Sequence, residues 1–246
     1  MPEPTRIVVA GGGYVGLYTA LRLRTRLAGR LRRGEVTVTV VDPRSFMTYQ
    51  PFLPEAAAGS LEPRHVVVPL RKELGGVDVV TGRVGAIHHS RRSISVEPLA
   101  GEGYDLPYDH LVVALGSVSR VLPIPGLAEH GIGFKQVEEA VALRNHVLDR
   151  LDVAASTADP DVRRRALTFV VVGGGYAGVE ALAEMEDMAR YATRYVDGVD
   201  ADDMRWLLVE ASNRILPEVG PDLGEYAREQ LSERGIDVRL GTRLVS

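Results

Sequence analysis

Six glycines and two carboxylates form the densest chemical pattern in this sequence. Gly11, Gly13 and Gly16 stand in the spacing G-x-G-x-x-G, and Gly173, Gly175 and Gly178 repeat it. In that spacing the first glycine permits a tight turn out of a strand. The second leaves the backbone bare so that a pyrophosphate can approach, and the third lets the following helix lie close on the sheet. The helix start then offers unpaired N–H groups and the positive end of its dipole, both suited to phosphate. Asp42 follows the first cluster and Glu210 the second. A carboxylate in that place accepts hydrogen bonds from ribose hydroxyls. Asp42 lies further from its cluster than the usual ~20 residues, an excess that a long arginine-rich helix absorbs. A carboxylate at the ribose also repels a 2′-phosphate, so Glu210 favours NADH over NADPH, with the Arg214 charge nearby as the opposing influence.

These residues need a strand before each turn, a helix after it and a second strand to carry the carboxylate. The sequence supplies all three, twice. Residues 5–10 are β-branched and apolar and read as a parallel strand buried on both faces. A helix is expected from residue 14 to about 27, and the alternating run 35–41 is the next strand, with Asp42 at its end. The second copy runs as strand 167–172, a helix to about residue 194, a buried strand 204–209, a helix 222–234 and a strand 236–240. IVVAGGGYVG at 7–16 matches FVVVGGGYAG at 169–178, a separation of 162 residues. That is too long for a solenoid and marks a whole domain used twice.

Between the two copies, the proline-rich stretch 43–62 reads as a structured loop or a broken helix. Residues 77–80, 82–87 and 93–97 read as short strands, and 110–115 as a buried strand ending at Gly116. An amphipathic helix covers 137–151, and the polar stretch 156–165, which holds Pro160, reads as a linker or surface loop. The fold class is α/β: two Rossmann-like units, parallel sheets with flanking helices plus short β-strands. The expected division is 1–125 and 126–246. The long excursion after the first fingerprint suits a large, enclosed cofactor, whereas the compact second unit suits a nucleotide that comes and goes.

Composition narrows the chemistry. With 29 basic and 33 acidic residues the net charge is -4, which gives no sign of a nucleic-acid partner. Arg22, Arg24, Arg26, Arg30, Arg32 and Arg33 form a locally basic stretch that reads as a solvated helix face. The 246 residues contain no cysteine, so they supply no thiolate nucleophile, cysteine-ligated cluster or redox disulfide. No metal site is expected. The opening residues lack the pattern of a signal peptide, and no apolar run approaches the ~20 residues that span a bilayer. The expectation is a soluble, cytoplasmic chain.

Four segments together carry a family resemblance: the first fingerprint, YQPFLPEAAAG at 49–59, LVVALGS at 111–117 and GGGYAGVE at 173–180. The chain resembles the type II NADH dehydrogenases, single-subunit NADH:quinone oxidoreductases among the flavoproteins with two dinucleotide-binding domains. The resemblance implies FAD held at Gly11, Gly13, Gly16 and Asp42, with Gln50 and Pro51 in the loop lining the isoalloxazine and Val84 at the adenine end. Ala114 and Gly116 are implied to pass close to FAD through backbone. The sequence there reads Ala-Leu-Gly where the family has Ala-Thr-Gly, so a threonine hydroxyl is absent.

The same resemblance implies NADH at Gly173, Gly175, Gly178 and Glu210. It makes Glu180 and Glu184, four residues apart on one helix face, the candidate catalytic residues near the nicotinamide and the quinone entrance. Their plainer roles are dipole complement for Glu180, in the first turn, and an exposed helix charge for Glu184. Phe46, Tyr49, Phe52 and Tyr176 line the rings or belong to the core.

The implied reaction is hydride transfer from NADH to FAD followed by reduction of a quinone. Relatives continue beyond this chain, through a strand with a Gly-Asp pair, most of the quinone pocket and amphipathic C-terminal helices. A truncated chain is therefore expected. Peripheral attachment to the inner face of the cytoplasmic membrane and a homodimer belong to full-length relatives. Lack of cysteine argues against disulfide reductases, thiol peroxidases and sulfide:quinone oxidoreductases. A ferredoxin- or rubredoxin-reductase-like flavoprotein that docks an acidic partner on the arginine helix stays open, as does a non-catalytic FAD- and NADH-binding fragment.

Overall fold

The computed structural model describes residues 3–118 and 122–245. The chain separates into two compact units: Met1–Tyr49 with Val67–Val118, and Gln50–Val66 with Ser119–Ser246.

In the first unit the β-branched runs form β1 (Thr5–Ala10) and β2 (Val36–Asp42), which pair in parallel. A small antiparallel pair follows, β3 (Phe46–Thr48) with β4 (Val67–Pro69). Then come β5 (Asp78–His88), β6 (Ser93–Pro98), β7 (Tyr104–Pro107) and β8 (His110–Val113). The six-stranded sheet has the order β7-β6-β5-β2-β1-β8, with β1 between β2 and β8. Both parallel neighbours of β1 pair along their full contact, so its side chains Val8, Val9 and Ala10 are buried.

Two strands expected at 77–80 and 82–87 are one. The first four residues of β5 pair in parallel with β2, and from Gly82 on it pairs antiparallel with β6. Gly82 is the hand-over point: a Cβ there would lie 2.9 Å from the Glu97 carbonyl oxygen. A glycine read from sequence as a break is therefore a close approach within a continuous strand. The strand expected at 110–115 stops at Val113 and is not buried. It borders the sheet, leaving Val113 58% and Leu115 55% exposed. The arginine-rich helix is two helices, Tyr14–Arg26 and Ala28–Arg32, which meet at Leu27.

Side chains from both faces of this sheet fill the core. Val9, Leu17, Ala20, Val40, Met47, Leu70 and Leu74 cluster on one face, and Val8, Val41, Ile94, Val96 and Tyr108 on the other. Arg6 fastens the β1 start to Asp109, just before β8, through its backbone N–H (2.8 Å), Nε (3.2 Å) and Nη2 (3.2 Å).

The second unit is built on β9 (Thr168–Val172), β10 (Arg205–Val209) and β11 (Asp237–Arg239), all parallel in the order β11-β10-β9. Trp206 on the central strand stacks on Phe169, ring centroids 4.3 Å apart. Helix Tyr176–Ala192 packs on helices Leu53–Ala58 and Val137–Ser156, so the stretch following Tyr49 joins this unit. The stretch expected to be a linker at 156–165 holds a helix, Pro160–Ala166. Asp159 caps it by accepting from the N–H groups of Asp161 and Val162, and Pro160 stands where no helix N–H bond is lost. Glu186 is buried between Arg190 (2.7 Å) and Arg234 (3.0 Å), which joins helix Tyr176–Ala192 to the end of helix Pro221–Glu233.

Leu70 is fully buried in the cluster beneath the first glycine turn, 2.5 Å from where a Gly12 Cβ would lie. Leu70→Ala should cost about 2–5 kcal/mol of unfolding free energy, read from urea denaturation. A loss under about 1 kcal/mol would show that this leucine does not support the turn.

Candidate functional site

Both glycine fingerprints close in the same way. At the end of β1, Gly11 turns at φ +107°, a conformation L side chains rarely adopt, and its N–H donates to the Val41 carbonyl (2.8 Å). An added Cβ on Gly11 would lie 2.1 Å from the Ala114 carbonyl oxygen. Gly16, in the first turn of helix Tyr14–Arg26, lies under the turn itself, and its Cβ would meet the Gly11 carbonyl oxygen at 1.8 Å. Gly13 differs, for a Cβ there would have nothing within 4 Å. It is the N-cap residue, and no side chain caps that end of the helix. The turn is thus tight where the protein packs on itself and open at Gly13, where the helix dipole points.

The second turn repeats this at Gly173, which turns at φ +110° and donates to the Val209 carbonyl (2.9 Å). A Cβ on Gly178 would meet the Gly173 carbonyl oxygen at 2.0 Å. Gly175 is the N-cap of helix Tyr176–Ala192, again with no side-chain cap and no acidic residue in the first turn. Glu180 therefore lies beyond the first turn, contrary to its expected place. The helix begins at Tyr176, so Glu180 is its fifth residue, just past the first turn in which a carboxylate complements the dipole.

The trailing carboxylates bind their own turns. Asp42 accepts from the N–H of Gly12 (2.7 Å) and of Arg44 (2.8 Å). Glu210 accepts from the N–H of Gly174 (2.6 Å) and of Ser212 (2.7 Å). Burial pushes the Glu210 carboxyl upward, but the N–H donors of Gly174, Ser212 and Ala211 outweigh it and hold the group below the ordinary carboxylate range. Each Asp42 oxygen is engaged once, which leaves lone pairs for ribose hydroxyls. Sequence reasoning missed Gly12 and Gly174. Their signal was the middle glycine of each G-G-G run: a Cβ at Gly12 would crowd Leu70 and Asp42, and one at Gly174 would crowd Ile215 and Glu210. Arg214, weighed as a contact for a 2′-phosphate, donates to the Pro217 carbonyl (2.7 Å).

The remaining predicted residues are distributed as follows. Ala114 meets the first turn through its carbonyl, and Gly116 turns at φ +67° two residues on. Val84 lies at a bulge in β5 and packs on the Tyr108 cluster. Gln50 and Pro51 are exposed at the front of helix Leu53–Ala58 in the second unit, where Gln50 Nε2 donates to the Lys135 carbonyl (3.1 Å). Glu180 and Glu184 lie on helix Tyr176–Ala192, against which helix Leu53–Ala58 packs. Glu180 is exposed and Glu184 half-buried; partial desolvation, and then the Glu55 carboxylate, raise both above the ordinary range. Glu55 is a residue the sequence reading passed over; its Oε2 is buried without a hydrogen-bond partner among the described residues. No group of three or more metal-ligating side chains occurs among the described residues.

A family model described as pyridine nucleotide-disulphide oxidoreductase matches residues 5–246. The chain is 30% identical over 247 residues to the type II NADH:quinone oxidoreductase Ndh of Mycobacterium tuberculosis, covering 98% of this chain and 51% of that protein. It is 29% identical over 255 residues to a mitochondrial external alternative NADH-ubiquinone oxidoreductase of Yarrowia lipolytica, covering 100% of this chain and 42% of that protein. Among solved structures, the NDH2 of Plasmodium falciparum in complex with NADH matches with a TM-score of 0.87 at 21% identity, over 96% of this chain and 48% of that one. That likeness is one of fold. The chain spans about half the length of these relatives or less.

Two outcomes test the turns. Gly16→Ala should lose at least about 3 kcal/mol of stability, because its neighbour is backbone and cannot yield, whereas Gly13→Ala should stay within about 1 kcal/mol of wild type; equal losses would refute the distinction. Glu210 has a folded value below its unfolded one, so its stabilisation is full above the ordinary carboxylate range and is lost as pH falls through the lower folded value. Melting curves from neutral to acid pH should lack that component in Glu210→Gln, and unchanged curves would contradict it.

Proposed function

Because the chain belongs to the pyridine nucleotide-disulphide oxidoreductase family, we propose that it binds FAD and NADH, passes a hydride from NADH to FAD and delivers the electrons to a quinone. The observation that carries this reading is the duplicated turn, each copy clamped by its own carboxylate and each with an uncapped glycine at the helix start, Gly13 open and Gly175 with Glu218 Oε1 3.7 Å from where a Cβ would lie. In this reading residues 1–125 serve as the FAD-binding domain and 126–246 as the NADH-binding domain. Gly11, Gly13, Gly16 and Asp42 hold the FAD pyrophosphate and ribose; Ala114 and Gly116 border it through backbone, Val84 lies at the adenine end and Gln50 and Pro51 line the ring. Gly173, Gly175, Gly178 and Glu210 hold NADH.

Bound FAD supplies the redox chemistry, accepting a hydride from a nicotinamide and releasing electrons to an acceptor. The chain supplies position and charge. Gly13 leaves open space for pyrophosphate against its helix start, and Gly175 presents a bare backbone at the second, beside the Glu218 carboxylate. Asp42 and Glu210 fix each turn while keeping acceptor capacity for ribose hydroxyls, and the Glu210 charge disfavours a 2′-phosphate. Glu180 and Glu184 hold protons to higher pH than ordinary carboxyls, which suits proton supply to a quinone taking up electrons. The quinone reading rests on relatives named for quinone reduction and on a chain with no cysteine to serve as a disulfide. No helix among the described residues is long and apolar enough to cross a membrane.

The test is anaerobic. FAD-reconstituted protein should be yellow, lose its flavin absorbance on NADH addition and regain it with a soluble quinone analogue but not with ferredoxin. Gly13→Ala should weaken FAD retention at least about tenfold, and Glu210→Gln should narrow the NADH-over-NADPH preference by about the same factor. Flavin that NADH leaves unreduced would defeat the proposal.

A further inference from the structure

The two helix starts differ by one carboxylate. A Cβ added to Gly13 would meet nothing within 4 Å, whereas one added to Gly175 would lie 3.7 Å from Glu218 Oε1. Glu218 is exposed, and no hydrogen bond or ion pair engages its carboxylate among the described residues. It therefore brings an unmatched negative charge to the start of helix Tyr176–Ala192, which has no side-chain cap and no acid of its own in the first turn.

The backbone that carries Glu218 is fastened to the glycine turn. Ile215 is buried against it, its Cγ2 2.8 Å from where a Gly174 Cβ would lie. The Leu216 N–H donates to the Gly174 carbonyl (2.6 Å), and the Val219 N–H donates to the Leu216 carbonyl (3.1 Å). Arg214 Nη2 donates to the Pro217 carbonyl (2.7 Å) between them. Leu216 takes φ +48°, a left-handed conformation that costs a leucine free energy and persists only where its surroundings hold it. These bonds keep residues 215–219 on the second turn, so the Glu218 side chain springs from a fixed point beside the helix start.

With the second turn read, as proposed above, as the NADH site, we infer that Glu218 sets that site's affinity: its carboxylate stands beside the helix start that pyrophosphate would meet and weakens dinucleotide binding. Carboxylate and pyrophosphate compete for the same free N–H groups and the same positive dipole end, and two anions at close range repel. Glu210 acts differently, because its oxygens accept from Gly174 and Ser212 inside the turn. The Glu218 charge has no such engagement and bears on the ligand alone.

Equilibrium dialysis of NADH against the full 246-residue chain tests this, with the chain supplied with FAD reduced beforehand by dithionite so that no hydride transfer disturbs binding. At low ionic strength Glu218→Gln, which keeps the shape and removes the charge, should bind NADH at least about fivefold tighter than wild type. Glu218→Lys should bind tighter still. A gain of affinity is not what a damaged fold produces. At about 1 M salt, where the Debye length is ~3 Å, the three dissociation constants should converge. If wild type binds NADH but Glu218→Gln binds it no tighter, or if the gain is as large at high salt, the role of Glu218 is refuted while the NADH site stands. If neither wild type nor Glu218→Gln binds NADH, the site reading falls and the role of Glu218 with it.

Discussion

A carboxylate at the end of one strand accepts the N–H of the middle glycine in the turn that leaves the strand beside it. Asp42 does this for Gly12 and Glu210 for Gly174. Each bond fixes the turn's path, and with it the angle at which the following helix leaves. In both copies the third glycine of the spacing then lies directly under the carbonyl of the first, too close for any side chain. The helix start is thereby pressed against the sheet with its N–H groups and dipole aimed past an N-cap glycine that no side chain caps. Pyrophosphate recognition of the proposed kind rests on this geometry, and a carboxylate that merely faced solvent would leave the turn unsupported.

The two copies are not mechanically equal. The first turn is braced from beyond by the Ala114 carbonyl on the continuation of β8, and from beneath by Leu70. The second has no such neighbour within 4 Å of a Gly173 Cβ, and Ile215, together with Glu210, takes the place of Leu70 against Gly174. The carboxyls of Glu180 and Glu184 are raised by partial desolvation and by Glu55, so the helix behind the second turn carries charge it holds reluctantly. Glu186 on the same helix is instead buried between two arginines and serves to fasten helices.

What the residues alone determined was whatever depends on local pattern. Short apolar runs, alternating only in β2, gave β1, β2, β9 and β10 nearly to the residue, and helical spacing with glycine breaks gave the long helices. The glycine spacings and trailing acids located both turns, because the steric demand for glycine there is local. Helix Pro160–Ala166 was legible too, in the Asp159-Pro160 pair, but the polarity of the stretch outweighed that cap in the reading.

Tertiary structure decided what depends on neighbours distant in sequence. Gly82 looks like a break, yet β5 runs through it because β2 and β6 take its two halves in turn. An apolar 110–115 looks buried, yet Val113 and Leu115 are exposed because β8 borders the sheet. The residues 50–66 join the second unit because Leu53, Ala56 and Ala57 find their apolar partners on its helices. The Glu55 charge beside Glu180 is likewise invisible to periodicity. A sequence records which side chains avoid water, but the fold determines which of their polar atoms find a partner.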